Sequence, residues 1–211
     1  MAGLFTQAVM SIYLAPSTLV LTLPLGLVLF VATTFQGTAC TAKLAIATVT
    51  LAMLCSAAMF ANVAWVTPEA NQAFRQITFS RLQPGTVLAR GDNELTLRVV
   101  RARLKAAQKL GVANDVHFLE RLYHQKLAIA SAALPMVGLM LALAFRRNLS
   151  RARLTLVAVG LCVMYYAGLE LATDASALGV PPIVAAWWTN GACTTMAIAL
   201  TWRRSPAQQQ A

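Results

Sequence analysis

The sequence predicts an all-α, polytopic membrane protein with five transmembrane helices and a short external amphipathic helix. Apolar residues make up 58% of the 211, charged residues only 11%, and the mean hydropathy is +0.64. A soluble domain of this length carries about twice that charge, and a disordered chain needs high charge and low hydrophobicity. Five apolar runs each approach the roughly 20 residues that cross a hydrocarbon layer. The charges lie in the gaps between those runs.

The first crossing is expected from Ser17 to Gln36, with Pro16 at the first helical position and Pro24 as a kink that neighbouring helices tolerate in lipid. The amino terminus lacks the basic stretch of a secretory signal, so this run is expected to stay in the mature protein. The second crossing is Lys43–Val66, and Thr67–Asn71 ends it. The third is Leu127–Phe145, the fourth Leu154–Thr173 and the fifth Pro181–Trp202. These divide the chain into a helix pair over residues 1–66, an external segment over 67–125, a three-helix half over 126–204 and a tail over 205–211.

Within the external segment, Phe74–Gly91 reads as irregular or weakly strand-like, with a turn at Gln83-Pro84-Gly85. From Asp92 the pattern turns helical, capped by Asp92 or Asn93 and stopped by Gly111. Arg98, Arg101, Lys105 and Lys109 recur at helical spacing on one face, and Leu97, Val100, Leu104 and Ala107 line another. The span 92–110 is therefore a basic amphipathic helix at a membrane surface, its apolar face against bilayer or bundle. The basic stripe is the candidate site for a lipid phosphate, against the alternative of a merely solvated face. A further helix starts near Asn114-Asp115 and runs into the third crossing.

Orientation follows from the short loops. Lys43, Arg146, Arg147, Arg151, Arg153, Arg203 and Arg204 fall on one side, which holds seven basic residues and no acidic one. The opposite loop, Asp174–Gly179, has no basic residue. Basic short loops face the cytoplasm, so the amino terminus is expected outside and the carboxyl terminus inside. The long segment 67–125, with nine basic and five acidic residues, opposes this, but long loops weigh less.

The net charge of +10 comes without a groove-reading motif, which argues against nucleic acid. The four cysteines form no C-x-x-C and read as small buried hydrophobes, and no cofactor or metal is implied. A P-loop and H-E-x-x-H are both missing, and His117 and His124 lie outside the crossings, so the sequence does not read as an enzyme. Glu170 is the one acid placed within the bilayer, near the end of the fourth crossing and one turn from Tyr165 and Tyr166. It is either a functional acid or a side chain that snorkels to water. Asn62 and Asn190 read as interhelical hydrogen-bond partners.

The stretch Gly179–Asn190, GVPPIVAAWWTN, with Pro181, Pro182, Trp187 and Asn190, resembles the entry to the last helix of the lipopolysaccharide-export permeases of the LptF/LptG type. Tyr123–Ala128, with His124 and Lys126, is similar to that family's fourth-helix entry, and Arg146-Arg147 and Tyr165-Tyr166 fall at matching distances. Leu23-Pro24-Leu25 and Trp65–Asn71 resemble the family's helices two and three. Against the family pattern the first crossing, the periplasmic β-jellyroll and the ATPase-docking stretch are missing here, the last reduced to Gly37–Ala42.

The resemblance implies a permease-like inner-membrane subunit of an ABC-type exporter of an anionic lipid such as lipopolysaccharide. It would work with a cytoplasmic ATPase and a second permease subunit or a copy of itself. On this reading Arg98, Arg101, Lys105, Lys109 and Glu170 meet lipid, and Arg146, Arg147, Arg151 and Arg153 dock the partner. The alternative is a non-transporting membrane scaffold that binds lipid or partner subunits.

Overall fold

The computed structural model describes residues 2–34, 42–82, 91, 94–144 and 150–202. Helix α1 (Ala2–Thr34) begins well before the expected start, and both Pro16 and Pro24 lie inside it. An interior proline removes one N–H and orphans the carbonyl four residues back. For Pro24 that carbonyl is Val20, and the Tyr166 hydroxyl donates to it at 2.5 Å. The Asn62 amide donates to the Pro16 carbonyl at 2.8 Å. A side-chain donor from another helix thus replaces the bond lost at Pro24, and Asn62 ties α1 to the π turn at Pro16.

Helix α2 (Ala42–Ala61) does not end where the sequence reading ends it. It passes through a π turn (Asn62–Val66) into α3 (Thr67–Leu82), so Thr67–Asn71 and residues 74–82 are helical, not irregular or strand-like. The physical reason is local. The Thr67 N–H reaches back to the Asn62 carbonyl, and this wider turn takes up the donor that Pro68 lacks. The expected turn at Gln83-Pro84-Gly85 lies outside the described residues.

Helix α4 (Leu97–Leu110) starts five residues later than the expected 92, after an extended Thr96. Asp92 and Asn93, the expected caps, lie outside the described residues. Gly111 stops the helix as expected, at φ 70°, with its N–H on the Ala107 and Gln108 carbonyls. The face Val100/Leu104/Ala107 meets Leu119 and Leu122 of α5 (Ala113–Ser131), forming a small core of its own. That face therefore packs on the protein and not on the bilayer.

The third crossing is a broken one. Helix α5 gives way at Ala132 to α6 (Ala133–Ala144), bent by 41°. Pro135 withholds the donor that would bond Ser131, and the Ala132 N–H turns to Ile129 at 3.2 Å. Helix α6 then sits at the centre, against α1, α2, α7 (Arg151–Ala177) and α8 (Pro182–Trp202). Met136, Val137, Leu139, Met140 and Leu141 are buried there, in one cluster with Val28, Val31, Ala158 and Cys193. Helix α7 extends beyond the expected Leu154–Thr173, so the expected Asp174–Gly179 loop shrinks to a turn at Leu178-Gly179.

Apolar side chains face outward as well as inward: Ile46 and Leu54 on α2, Leu156, Val163 and Met164 on α7, Ile183 and Ile198 on α8 are all more than half exposed. Helices apolar on every side are stable in lipid. Thr22, Thr33, Thr48, Thr194 and Thr201 hydroxyls donate to carbonyls one turn back, which spares the bilayer an unpaired donor. By length and composition three helices can cross a membrane, Lys43–Ile77, Ala152–Ala172 and Pro182–Trp202, and four with the bent α5–α6 pair. The first expected crossing, Ser17–Gln36, runs past the described residues, and its described apolar part is Thr18–Thr34 of α1. All regular elements among the described residues are helical.

Candidate functional site

Helix α4 shows two stripes. Its buried stripe is the Val100/Leu104/Ala107 face. On the opposite side Arg98, Arg101, Lys105 and Lys109 are exposed, Arg103 is exposed on another side, and α4 has no acidic residue. The helix rests on α5 and on the π turn. Near that turn Trp65 is 51% exposed and stands edge-on to Phe60 at 5.8 Å. An amphipathic ring of this kind settles where hydrocarbon meets water. Helix α4 is thereby held at about the level of an interfacial aromatic.

What fixes its start was not visible in the sequence. Glu94, 5% exposed, pairs with Arg75 from α3: Nη2 donates to Oε2 at 2.8 Å, and Nε lies 2.7 Å from Oε1 as an ion-pair contact without hydrogen-bond alignment. The Gly91 N–H is a second donor to Oε2, at 2.9 Å. A buried carboxylate is tolerated where a cation and hydrogen-bond donors meet it together. Nineteen residues separate the partners, and no periodic pattern links them; the only signal was an acid just ahead of a basic helix.

A second polar cluster lies inside the bundle, at the break between α5 and α6. The Ala128 carbonyl has lost its helical donor, because the Ala132 N–H bonds Ile129. Asn190 of α8 replaces it: its amide donates to Ala128 at 3.0 Å and to the Ser131 hydroxyl at 3.1 Å. Ser131 in turn donates to Ala128 at 3.1 Å, and the Tyr165 hydroxyl donates to the Asn190 carbonyl oxygen at 2.6 Å. Every amide and hydroxyl proton is used. Asn190 and Asn62 are thus interhelical hydrogen-bond partners, as their residue type and position suggested. Beside the cluster a groove of about 420 Å³ is lined by Ser131, Leu134, Pro135, Trp187, Asn190 and Thr194, among others.

The family-motif residues scatter around this cluster. Pro182 is buried at the first position of α8, Pro181 is exposed before it, and Trp187 is half-buried in the groove wall. The Pro181 carbonyl accepts the first bond of α8, from the Ala185 N–H at 3.0 Å. His124 and Lys126, both half-buried, lie on α5, and the His124 ring stands edge-on to Tyr123 at 5.4 Å. Glu170 is not at a helix end: it lies within α7, exposed, with no hydrogen bond or ion pair among the described residues. Gly168 is the closest meeting of α7 and α8. A Cβ there would overlap Thr189 Cγ2 and come within 3.2 Å of the Trp188 ring, whose Nε1 donates to the Gly168 carbonyl at 3.1 Å.

The basic stripe, the Asn190 cluster and Glu170 are therefore three separate places. Of the loop arginines, Arg146 and Arg147 lie outside the described residues, Arg151 opens α7, and Arg153 is exposed on its first turn.

A family model described as lipopolysaccharide export system permease LptF/LptG matches residues 79–203, more than half of the chain. The match takes in α4 to α8, including the break at Ala132 and the Asn190 cluster. No curated protein and no solved structure matches the chain. On that span of sequence, the chain belongs to the LptF/LptG family of lipopolysaccharide export permeases, the non-catalytic transmembrane subunits of an ABC transporter.

Proposed function

We propose that this chain is a permease-type subunit that moves an anionic lipid, lipopolysaccharide or a close relative, out of the inner membrane. The observation that carries the reading is the family match over α4–α8. The exposed stripe Arg98, Arg101, Lys105 and Lys109 on the outer helix adds to it. Each basic residue near an anionic surface adds about 1 kcal/mol of attraction, so four together suffice to hold a phosphorylated headgroup. Glu170, an exposed acid on α7 without an ion pair among the described residues, is the second lipid-facing candidate, since a charge in a span marks a pathway or a partner contact. Arg146, Arg147, Arg151 and Arg153 would meet the ATPase through an acidic patch, with the amino terminus outside and the carboxyl terminus in the cytoplasm. A second permease subunit or a second copy would complete the transporter.

A scaffold that binds lipid or partner subunits without transport is the second reading. It is favoured by the short connection, residues 83–96, between α3 and α4, where a periplasmic β-domain would need far more chain. Both are tested by reconstituting the full chain with its ATPase and a second permease in proteoliposomes and measuring ATP-dependent removal of lipid. Transport that falls severalfold when Arg98, Arg101 and Lys105 become Glu supports the permease. ATPase binding without any transport supports the scaffold.

A further inference from the structure

Helix α4 carries an apolar edge, Ala102, Ala106 and Leu110, that nothing among the described residues covers, while Val99 before it packs on the core shared with α5. Ala102, Ala106 and Leu110 repeat the spacing of Arg101, Lys105 and Lys109, displaced by one residue. One residue is about 100° of helical turn, so the two stripes run side by side along the helix. The edge is separate from the face that packs on α5. Ala102 and Ala106 are exposed, Val99 is half-buried, and Leu110 is 77% exposed. Val112, 41% exposed just past the Gly111 turn, continues it at the tip of the α4–α5 hairpin. Lys105 and Lys109 border the edge on one side and Arg103 on the other, all exposed.

We infer that this edge, Ala102/Ala106/Leu110 with Val112, lies on the surface of an anionic phospholipid bilayer and anchors the α4–α5 hairpin there. Three observations name the occupant. The first is charge: basic side chains flank the edge on both sides and α4 has no acid, so the fitting partner is a flat, anionic, amphiphilic surface. The second is level: α4 rests on the π turn beside the exposed Trp65. The helical run Lys43–Ile77 has 35 residues, more than the roughly 20 the hydrocarbon requires, so its polar α3 part, with Glu69, Asn71, Gln72 and Arg75, leaves the bilayer near that turn. The third is immobility: the Arg75–Glu94 pair and the small core with α5 fix which side α4 shows, so the edge is not a matter of free rotation. Leu110 and Val112 then dip among the upper acyl carbons while Arg103, Lys105 and Lys109 extend to the phosphates.

The inference rests on the membrane-surface placement of α4 in the proposed function, and it needs no transport. Its test is a photo-crosslinking amino acid placed singly at Leu110, Ala106 and Gln108 of the full chain. The labelled proteins are assembled alone in nanodiscs of phosphatidylglycerol and phosphatidylethanolamine, and adducts are read by intact mass. Gln108 projects from the opposite side of α4, where it bonds Glu120. The expected result is phospholipid adducts at Leu110 and Ala106 severalfold above Gln108, with phosphatidylglycerol over-represented relative to the disc. Adducts at Leu110 that equal those at Gln108 overturn the anchor, and an adduct to a second copy of the chain makes the edge a protein interface instead. Capture without enrichment of phosphatidylglycerol overturns the anionic preference. Lipid capture together with failed transport in proteoliposomes would leave the anchor standing and remove the permease reading alone.

Discussion

The Tyr166 hydroxyl donates to the Val20 carbonyl at 2.5 Å, and Val20 is the residue whose helical donor Pro24 removes. A carbonyl of α1 left without its helical donor is thus bonded by α7, across 146 residues of sequence. In lipid no water stands in for a missing donor, so the bond joins the two helices.

Tyr166→Phe should therefore lower stability by about 1 kcal/mol, the usual worth of a polar contact left unmade. Pro24→Ala restores the backbone donor, so the loss from Tyr166→Phe should shrink in that background. Chemical unfolding of the four proteins of this cycle in detergent micelles checks it. Equal losses in both backgrounds would show that Tyr166 acts by packing alone.

At the α5–α6 break the order of damage is predicted by the proton count. Asn190→Asp removes both donors and sets a carboxylate against the Ala128 carbonyl and the Ser131 hydroxyl. Asn190→Ala leaves Ser131 still donating to Ala128. Tyr165→Phe removes one hydroxyl proton, shared between the Asn190 carbonyl oxygen at 2.6 Å and the Ala128 carbonyl at 3.2 Å. Thermal stability should fall in the order Asp, then Ala, then Phe, with the last costing about 1 kcal/mol.

Gly168→Ala should cost about 1–3 kcal/mol, because the added methyl meets Thr189 Cγ2 and helices α7 and α8 must part. Thr189→Ala removes that methyl and should recover most of the loss. A double variant no more stable than Gly168→Ala would place the strain elsewhere.

Breaking the Arg75–Glu94 pair should free the start of α4. Arg75→Met leaves a carboxylate that is 7% exposed with the Gly91 N–H as its remaining donor among the described residues. The expected loss is about 2–3 kcal/mol, below the value for a fully buried pair because the arginine is 30% exposed. Limited proteolysis should cut the α3–α4 connection faster in Arg75→Met than in Glu94→Gln, which keeps hydrogen bonding without the buried charge.

Topology is checked with membrane-impermeant thiol reagent on intact cells. Ser176→Cys should react from outside and Ser150→Cys only after permeabilisation, given the seven-to-zero bias of the short loops. The reverse pattern would turn the chain over.

The helical elements were legible where composition and punctuation agree. Gly111 stopped α4, Pro182 opened α8, and the long apolar runs became helices. The misreadings share a cause. Pro16 reads as a helix start and Pro68 as part of a helix exit, whereas α1 runs through the first and a π turn leads α2 through the second into α3. Of the candidate residues, Asn62 and Asn190 were legible as polar groups in apolar runs. Ser131, Gly168 and the Arg75–Glu94 pair were not, because their significance lies in a neighbour from another helix.

The amino-acid order alone determined that this chain is helical and belongs in a membrane, because hydrophobicity and helical periodicity are properties of contiguous residues. It determined the basic stripe of α4 for the same reason. Only the tertiary structure decided which face of α4 is covered by α5, leaving the Ala102/Ala106/Leu110 edge bare, and which carbonyls at the broken helices needed a partner. Those are questions of who stands opposite whom. In a bilayer the hydrophobic effect does little to set helix against helix, so the pairing is left to close packing at Gly168 and to the few polar groups, Tyr166, Asn190 and Asn62, that find an unmet carbonyl or hydroxyl.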